Sequence, residues 1–255
     1  MQFYKFQGTG NDFVIIDDRN ESFDTNDLEF VRKLCNRKFG IGADGLILLR
    51  NHKKLDFHMI YFNANGSQSF CGNGSRCAVK LAHELKMIDK KTRFLSTDGE
   101  HEAEVLSDGQ IALQMHDVHE IKDLGVNNRE LNTGSPHYVR FVEDLRKEDV
   151  VKTGRSIRYS PPYSEDGINV NVVQQLGKNA IAMKTYERGV EDETLSCGTG
   201  VTAAVLAFAY KNNVDEPCEV TTRGGKLKVT FERNLQSFTN IYLIGPAEKV
   251  FIGEW

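Results

Sequence analysis

Two short stretches, "SFCGNGSRC" at 69–77 and "LSCGTGVTA" at 195–203, decide how the sequence is interpreted. Each places a cysteine directly before a glycine-rich turn that opens into an apolar, helix-forming run. Four interpretations compete for such a repeated arrangement: a disulfide, a metal site, a phosphate-binding loop, or a pair of reactive thiols. Composition, spacing and the surrounding elements distinguish between them.

The composition is that of a globular protein without an obvious polyanionic or membrane partner. The chain has 255 residues, of which 40% are hydrophobic, with a formal charge of −4 and a pI near 6.0. This charge gives no electrostatic reason to expect nucleic acid or a membrane surface. The polar N-terminus does not have the pattern of a signal peptide, and no apolar run approaches the roughly 20 residues of a membrane span. Five cysteines, an odd number thinly spread, favour a reducing cytoplasm over a disulfide framework. We therefore expect a cytoplasmic protein.

Features of the first half of the chain recur in the second half at a nearly constant distance. Cys71 and Cys197 are 126 positions apart. Four further pairs follow the same order at distances of 124 or 125: Gly10 and Gly134, Gly42 and Gly167, Asn63 and Glu187, and Gly99 and Gly224. Glycine-rich turns could match by accident, but five ordered matches favour the duplication of a whole domain.

Short β-rich runs dominate each half, and one helical stretch follows each cysteine motif. The runs are "FVIID", "GLILL", "DFHMIYF" and "FLSTD", then "HYVRFV", "INVNVV", "AIAMKTY" and "CEVTT". A further amphipathic helix is predicted in "TNDLEFVRKLCNR", with Thr25 as its N-cap. The sequence therefore predicts an α+β fold of two pseudo-symmetric domains, 1–117 and 118–255, each mostly strand around one central helix. We expect a cleft between the domains, and a last strand that can pair with the first half.

The cysteine spacing argues against three familiar kinds of site. Cys71 and Cys77 are spaced C-x5-C, outside the usual C-x2–4-C of zinc sites, and Cys197 has no second ligand nearby. "GTGVTA" matches G-x-G-x-x-A but lacks the alternation of strand and helix that a Rossmann unit requires. Neither motif has the Gly-Lys-Ser/Thr of a phosphate loop. We expect neither a metal nor a bound cofactor.

The position of the two cysteines favours reactive thiols. A thiol at a helix N-terminus faces unpaired backbone N–H groups and the positive end of the helix dipole, which favour the thiolate. The glycines allow the backbone to approach a small carboxylate closely. One thiolate and one thiol on opposite faces of a carbon can invert it, as general base and general acid. The alternative, a cysteine buried as a small hydrophobe, suits Cys35, Cys77 and Cys218.

Six motifs follow one another along the chain: "GTGNDFVIID", "GIGADG", "FNANGS" with "CGNGSRC", "TGSPHYV", "YERG" and "CGTG". As an ordered set they resemble the diaminopimelate epimerase family over nearly the whole length. The resemblance implies two domains, each a strand barrel around a central helix, with the active site between them. It also implies cofactor-independent epimerisation of LL- to meso-diaminopimelate for lysine and peptidoglycan precursor synthesis. Family members are often dimers, so a homodimer is expected.

The resemblance also implies the roles of individual residues. Cys71 and Cys197 match the acid/base pair, and His137 matches a histidine that supports catalysis. The implied substrate-binding positions are Asn11, Asn63, Gly72, Asn73, Asn169, Glu187, Arg188, Gly198 and Thr199. Of these, the four at the helix starts would bind the reacting carboxylate through their backbone. A zwitterionic substrate suits Arg188 for a carboxylate and Glu187 for an ammonium group.

Two positions depart from the family pattern. Ser135 stands where many relatives have Asn, and Gly45 where some have Gln. Both departures concern the rim of the implied site and therefore bear on the substrate more than on the reaction. The alternative is a related two-thiol racemase acting on a different amino acid. A second alternative is a non-catalytic binder of small anions that uses the same helix termini, although backbone N–H groups bind an anion without any thiol.

Overall fold

The computed structural model describes all residues, Met1–Trp255, which form two compact units. The first contains residues 1–113 and 245–255, and the second contains residues 114–244. The boundary lies four residues before the one expected at 117/118. The last eleven residues, expected within the second half, belong to the first unit.

The first unit has two helices and eight strands. Its helices are α1 (Leu28–Cys35) and α2 (Gly72–Glu84), and its strands are β1 (Gln2–Gly8), β2 (Asn11–Asp17), β3 (Gly45–Arg50), β4 (Phe57–Asn63), β5 (Lys91–Ser96), β6 (Gly99–Val105), β7 (Ile111–Gln114) and β17 (Glu248–Glu254). β17 pairs antiparallel with β1, as do β1 with β2, β3 with β4, β5 with β6 and β6 with β7. The pairs β2–β3 and β4–β5 are parallel.

The second unit has two helices, nine strands and a short 3-10 turn at Leu145–Lys147. Its helices are α3 (Val150–Arg158) and α4 (Gly198–Asn212), and its strands are β8 (Ile121–Asp123), β9 (Asn128–Asn132), β10 (Pro136–Val142), β11 (Asn169–Gly177), β12 (Ala180–Glu187), β13 (Asp192–Thr194), β14 (Cys218–Thr222), β15 (Gly225–Asn234) and β16 (Ser237–Gly245). The pairs β10–β11 and β12–β14 are parallel, and the remaining pairs are antiparallel.

The strand registers of the two units repeat with a displacement of 124 positions. In the first unit Phe13 pairs with Gly45, and in the second His137 pairs with Asn169. Both units also share the same alternation of antiparallel and parallel pairs, with the cysteine-led helix entering before the second parallel pair. Matching registers are far more specific than matching turns, because a slip by one residue would exchange the faces of a strand. The predicted α+β fold of two pseudo-symmetric halves is therefore confirmed.

Each unit is built around its cysteine-led helix. α2 contacts β1, β2, β3, β4 and β6, and α4 contacts β9, β10, β11, β12, β14 and β15. Eleven of the fifteen residues of α4 are buried. A helix that is apolar on every side is one that other elements surround. No helix of the chain combines the length and the apolar character that crossing a membrane requires.

Two details of the helices differ from expectation. The N-cap of α1 is Asp27, whose side chain accepts a hydrogen bond from the Phe30 N–H, so the prediction of Thr25 is wrong. The carboxylate satisfies the N–H three residues after it and also complements the helix dipole. The helix α3 was not predicted, although Asp149 caps it in the same way through the Lys152 N–H.

Candidate active site

Cys71 is the N-cap of α2. Its backbone is extended, with φ −139° and ψ 106°, and its Sγ accepts a hydrogen bond of 3.3 Å from the Gly74 N–H. The sulfur therefore takes the place that a serine or aspartate oxygen holds in an ordinary cap. Such a bond favours the thiolate over the thiol, because the N–H group and the positive end of the helix dipole both stabilise the negative charge on sulfur.

Asn11 and Asn73 lie beside this cysteine. Asn11 Oδ1 is 3.7 Å from Cys71 Sγ and accepts a hydrogen bond of 3.3 Å from Asn73 Nδ2. Asn11 stands at the start of β2 and Asn73 in the first turn of α2, so the contacts between β2 and α2 bring them together. Three of the residues expected in the site, Asn11, Cys71 and Asn73, thus form one cluster.

Asn63 and Gly45 lie opposite each other at the ends of β4 and β3. Asn63 Oδ1 accepts a hydrogen bond of 3.1 Å from the Tyr61 hydroxyl, and its Nδ2 donates to Ser69 Oγ just before Cys71. A Cβ at Gly45 would lie 2.4 Å from Tyr61 Cε2 and 2.6 Å from the Phe62 carbonyl oxygen. The glycine is therefore required by packing, since Tyr61 and the neighbouring strand occupy the space of any larger side chain.

Cys197 is the N-cap of α4 and is 7% exposed. Its Sγ lies 3.5 Å from Thr199 Oγ1 and, unlike that of Cys71, accepts no capping hydrogen bond from the first turn. The turn is held from outside, because Thr133 Oγ1 donates to the Thr199 carbonyl at 2.9 Å. A Cβ at Gly200 would lie 2.6 Å from Asn171 Oδ1 and 3.3 Å from Cys197 Sγ, so only glycine fits at this position without a shift of its neighbours.

Asn169 connects Ser135 with Arg188. Its Nδ2 donates to Ser135 Oγ at 2.8 Å, and its Oδ1 accepts from the Arg188 N–H at 2.9 Å. The Arg188 side chain is exposed, and its Nη1 donates to the Asp166 carbonyl at 2.8 Å. Glu187 is half-buried at the end of β12. Asn169, Ser135 and Arg188 thus form a second cluster, with Ser135 providing the oxygen that fixes the Asn169 amide.

His137 is fully buried, and its partner is a residue that the sequence did not single out. Asn171 Nδ2 lies 3.1 Å from His137 Nδ1, and Asn171 Oδ1 accepts a hydrogen bond of 3.0 Å from Thr185 Oγ1. Because the threonine donates to the amide oxygen, the amide nitrogen faces the ring, so Nδ1 accepts and the proton resides on Nε2. That Nε2 is buried without a hydrogen-bond partner. Burial, together with the positive charge of Arg188, lowers the pKa of His137 to about 3, so the ring is neutral near pH 7.

Comparison with known proteins places the chain among relatives of one kind. The family model described as diaminopimelate epimerase matches residues 3–120 and 130–250. The chain belongs to the diaminopimelate epimerase family. It is 48% identical to the diaminopimelate epimerase of Flavobacterium psychrophilum, with 98% of each chain covered. It is 42% identical to that of Aquifex aeolicus, with 99% of this chain and 97% of the relative covered.

Solved structures with low sequence identity share the fold. A Bacillus anthracis phenazine biosynthesis protein of the PhzF family aligns with a TM-score of 0.77 at 13% identity, covering 100% of this chain and 98% of that chain. A hydroxyproline epimerase from Agrobacterium vitis aligns with a TM-score of 0.69 at 15% identity, covering 99% and 91%. At these identities the likeness describes the fold alone.

The other three cysteines of this family member are in a different environment from Cys71 and Cys197. Cys35, Cys77 and Cys218 are buried and do not begin a helix. Burial raises the pKa of Cys35 to about 11 and that of Cys218 to about 12, and it also raises the pKa of Cys77. These thiols are protonated at neutral pH and behave as small apolar side chains, as expected.

Sequence reasoning missed the polar residues behind the two clusters. They are Asp44 and Arg76 in the first unit and Thr133, Asn171 and Thr185 in the second. A signal for Asn171 exists, because Asn169 and Asn171 fall on the same face of the otherwise apolar strand "INVNVV". A buried polar pair on one strand face requires partners, which marks it as part of a network.

Proposed function

We propose that this chain epimerises LL-diaminopimelate to meso-diaminopimelate, with Cys71 and Cys197 as the acid/base pair. The observation that carries the proposal is the repeated helix start: in each unit a cysteine is the N-cap of the central helix. Membership of the diaminopimelate epimerase family supports the substrate. One thiolate removes the α-proton from one face of the carbon, and the other thiol delivers a proton to the opposite face.

The charge that develops on the substrate carboxylate requires donors that are already in place. We propose that the first-turn N–H groups of α2 and α4, at Gly72, Asn73, Gly198 and Thr199, bind that carboxylate and stabilise the enolate-like transition state. Helix N-termini bind carboxylates through N–H groups and the helix dipole together. The N–H groups of these turns need no reorganisation as charge develops, since the helices fix them.

The distal amino-carboxylate of the substrate distinguishes diaminopimelate from simpler amino acids. We propose that Asn11, Asn63, Asn169, Glu187 and Arg188 bind the substrate, with the exposed Arg188 guanidinium on a carboxylate. We assign His137 a supporting role, because a neutral buried ring can hold Asn171 in place but cannot donate a charge-compensating proton near pH 7. Gly45 leaves the space that the Tyr61 ring occupies. Ser135 positions Asn169 by accepting a hydrogen bond from its amide.

Four further parts of the proposal concern location, cofactor, assembly and pathway. We propose that it acts in the cytoplasm, without pyridoxal phosphate, and as a homodimer in lysine and peptidoglycan precursor synthesis. Proton transfer at an α-carbon requires a base, an acid and hydrogen-bond donors to the substrate carboxylate, and the proposed residues supply all three. Sedimentation of the purified protein tests the dimer.

The experiment that tests the proposed function is direct. Purified protein, treated with a chelator and supplied with no pyridoxal phosphate, is incubated with LL-diaminopimelate, and the stereoisomers are separated by chromatography. We expect conversion to a mixture of LL and meso isomers. If proline, histidine or another amino acid were inverted faster, the two-thiol racemase for a different substrate would replace this proposal. If nothing were inverted, the anion-binding alternative would stand.

A further inference from the structure

Arg76 is a buried cation in the "CGNGSRC" motif to which neither the sequence nor the proposed mechanism gives a role. Its side chain is completely buried, and the hydrogen-bond acceptors that it reaches are all neutral oxygens. Nη2 donates to Asn73 Oδ1 at 3.0 Å and to Thr9 Oγ1 at 3.3 Å, Nε donates to the Pro246 carbonyl at 3.4 Å, and Nη1 is buried without a partner. Burying a charge opposite neutral acceptors is costly for a fold. A guanidinium stays protonated, so the site carries a fixed positive charge.

The Arg76 guanidinium fixes the direction of the Asn73 amide. A guanidinium only donates, so the atom of Asn73 that faces it must be the oxygen. The Asn73 nitrogen then points to Asn11, where it donates to Oδ1 at 3.3 Å. The orientation of one amide is thereby passed to the next.

The Asp44 carboxylate fixes the same chain of amides from its other end. Asn11 Nδ2 donates to Asp44 Oδ2 at 2.6 Å, and a carboxylate only accepts, so the Asn11 oxygen must point away from it. That oxygen is the atom that lies 3.7 Å from Cys71 Sγ. A cation at one end and an anion at the other therefore permit a single orientation of the two amides.

We infer that Arg76 and Asp44 are positioning residues that hold Asn73 and Asn11 in one orientation, with the Asn11 carbonyl facing the Cys71 sulfur. The inference rests on the proposed function, because the fixed amides set the proton affinity of Cys71, one member of the proposed acid/base pair. The Asn11 oxygen favours the thiol, because only S–H can donate to it. The Gly74 N–H and the Arg76 charge favour the thiolate. Asp44 and Arg76, at the two ends of the amide pair, thus change the proton affinity of Cys71 in opposite directions.

Other charged and titratable groups surround this cluster in the first unit. Arg37 makes ion pairs with Asp12 at 2.6 Å and with Asp44 at 2.8 Å, and Lys5 makes an ion pair with Asp12 at 2.6 Å. The buried Cys77 thiol follows Arg76 in sequence and is protonated, as described above. The charged and titratable groups around Cys71 in this unit are therefore Lys5, Asp12, Arg37, Asp44, Arg76 and Cys77.

The test measures the pH at which half of Cys71 is alkylated by iodoacetamide, with each cysteine quantified separately by peptide mass spectrometry. For Asp44→Asn we expect this midpoint to fall by about 0.5 pH unit or more, because the anion is lost and the Asn11 amide can turn its nitrogen toward the sulfur. For Arg76→Gln we expect a rise of about the same size, because Gln can still donate to Asn73 but carries no charge. Arg76→Lys retains the charge and should stay near the wild-type midpoint.

Arg37→Ala is the matched control for Asp44→Asn, since it removes the exposed ion pair of Asp44 and leaves the hydrogen bond to Asn11. We expect no fall in the midpoint for this variant. General loosening of the unit would shift the midpoints of Asp44→Asn and Arg76→Gln in the same direction. That result, or the absence of a shift in either, would overturn the inference. Because alkylation needs no substrate, this outcome is independent of whether the protein epimerises diaminopimelate.

Discussion

At the scale of single residues, the five cysteines differ in the atoms that surround the sulfur. Cys71 and Cys197 begin central helices, whereas Cys35, Cys77 and Cys218 are buried elsewhere, and burial raises their pKa values. A thiol at a helix start can therefore serve as an acid/base group, whereas a buried thiol elsewhere in the fold is a packing element.

Removing either helix-start thiol should nearly abolish epimerisation. We expect Cys71→Ala and Cys197→Ala each to lower kcat by about 10²-fold to 10⁴-fold or more, the usual cost of losing an essential acid or base. Cys35→Ala and Cys218→Ala are the controls, and their kcat should stay within about threefold of wild type. Initial rates of isomer formation measure the effect. An equal loss of kcat in the helix-start variants and in the controls would contradict a special role for thiols at a helix start.

The neutral His137 predicts how stability depends on pH. The folded pKa of about 3 lies below the roughly 6.5 of an unfolded histidine, so the fold favours the neutral ring. Its contribution to stability is complete above about pH 6.5 and is lost as pH falls from there toward 3, because the unfolded chain binds the proton first. We expect the free energy of unfolding to decrease by up to about 1.4 kcal/mol per pH unit in this window from His137 alone.

Urea titrations of wild type and His137→Gln between about pH 4.5 and 6.5 measure this contribution. The variant should show a shallower dependence on pH, even if it is less stable at every pH. His58, whose pKa is also lowered by burial, is unchanged in both proteins and cancels in the comparison. Parallel curves would contradict a buried, neutral His137.

At the scale of elements, both central helices begin with a cysteine followed three residues later by a glycine, but the two glycines differ in the space available for a side chain. A Cβ at Gly74 would lie 3.3 Å from Ile47 Cδ1 and 3.4 Å from Phe13 Cε1, both at the ends of side chains. A Cβ at Gly200 would lie 2.6 Å from Asn171 Oδ1, which Thr185 holds in place. The second helix start is therefore the more tightly packed of the two.

Alanine substitution at these equivalent glycines should give unequal results. We expect Gly200→Ala to destabilise the protein by about 1–3 kcal/mol through overpacking and to lower kcat/KM by about tenfold or more. Gly74→Ala should change stability by less than about 1 kcal/mol, since better helix propensity offsets the tighter contact. Denaturant titration and steady-state kinetics on the pair measure both quantities. A larger effect at Gly74 would contradict the tighter packing of the α4 helix start.

Eight of the seventeen strands and three of the four helices can be predicted from the sequence, because each follows from a local pattern. Alternating and continuous apolar runs predict eight of the strands, and the helices α2 and α4 follow from the motif that precedes them. The cap of α1 does not follow from the sequence, because Thr25 and Asp27 are both good caps and only the backbone shows which one begins the helix. The sequence does not predict α3, because "VVKTGRSIR" contains β-branched residues and a glycine, which weaken a helical pattern.

The candidate site could be predicted in its cysteines but not in its supporting network. Arg76 acts on Asn73, three positions away on the same helix, and what the local sequence does not show is that its guanidinium is buried. Asp44 and Asn171 instead act on Asn11 and His137, which lie 33 and 34 positions away in the sequence. No local pattern encodes such contacts, because they depend on which strands pair and in which register. Gly45 shows the same limit, since its requirement comes from Tyr61 on the neighbouring strand.

At the scale of the whole molecule, the duplication gives each unit the same register around its helix, displaced by 124 positions. Duplication explains why two similar helix starts exist, and divergence explains why their surroundings differ. In the proposed mechanism, a reaction at one carbon with two opposite faces would use both copies. We expect that if both thiols approach one carbon, a mild oxidant will join Cys71 and Cys197 as a disulfide and abolish activity.

Peptide mapping of the oxidised protein, followed by treatment with a dithiol reductant, checks that expectation. Activity should be lost as the Cys71–Cys197 peptide forms and should return on reduction. The Cys71→Ala variant is the control and should form no such peptide. A cross-link between any other two cysteines as the main product would contradict the proposed geometry.

The central claim, inversion by two thiols on opposite faces, is tested most directly by the fate of the α-hydrogen in deuterium oxide. LL-diaminopimelate is incubated with the protein, and both isomers are analysed by mass spectrometry before about a tenth of the substrate has reacted. Two thiols predict one deuterium at the inverted carbon of the meso product and almost none in the remaining LL substrate, because the donor is a different group from the base. Retention of the original hydrogen in the product, or rapid exchange into the substrate without inversion, would contradict the claim.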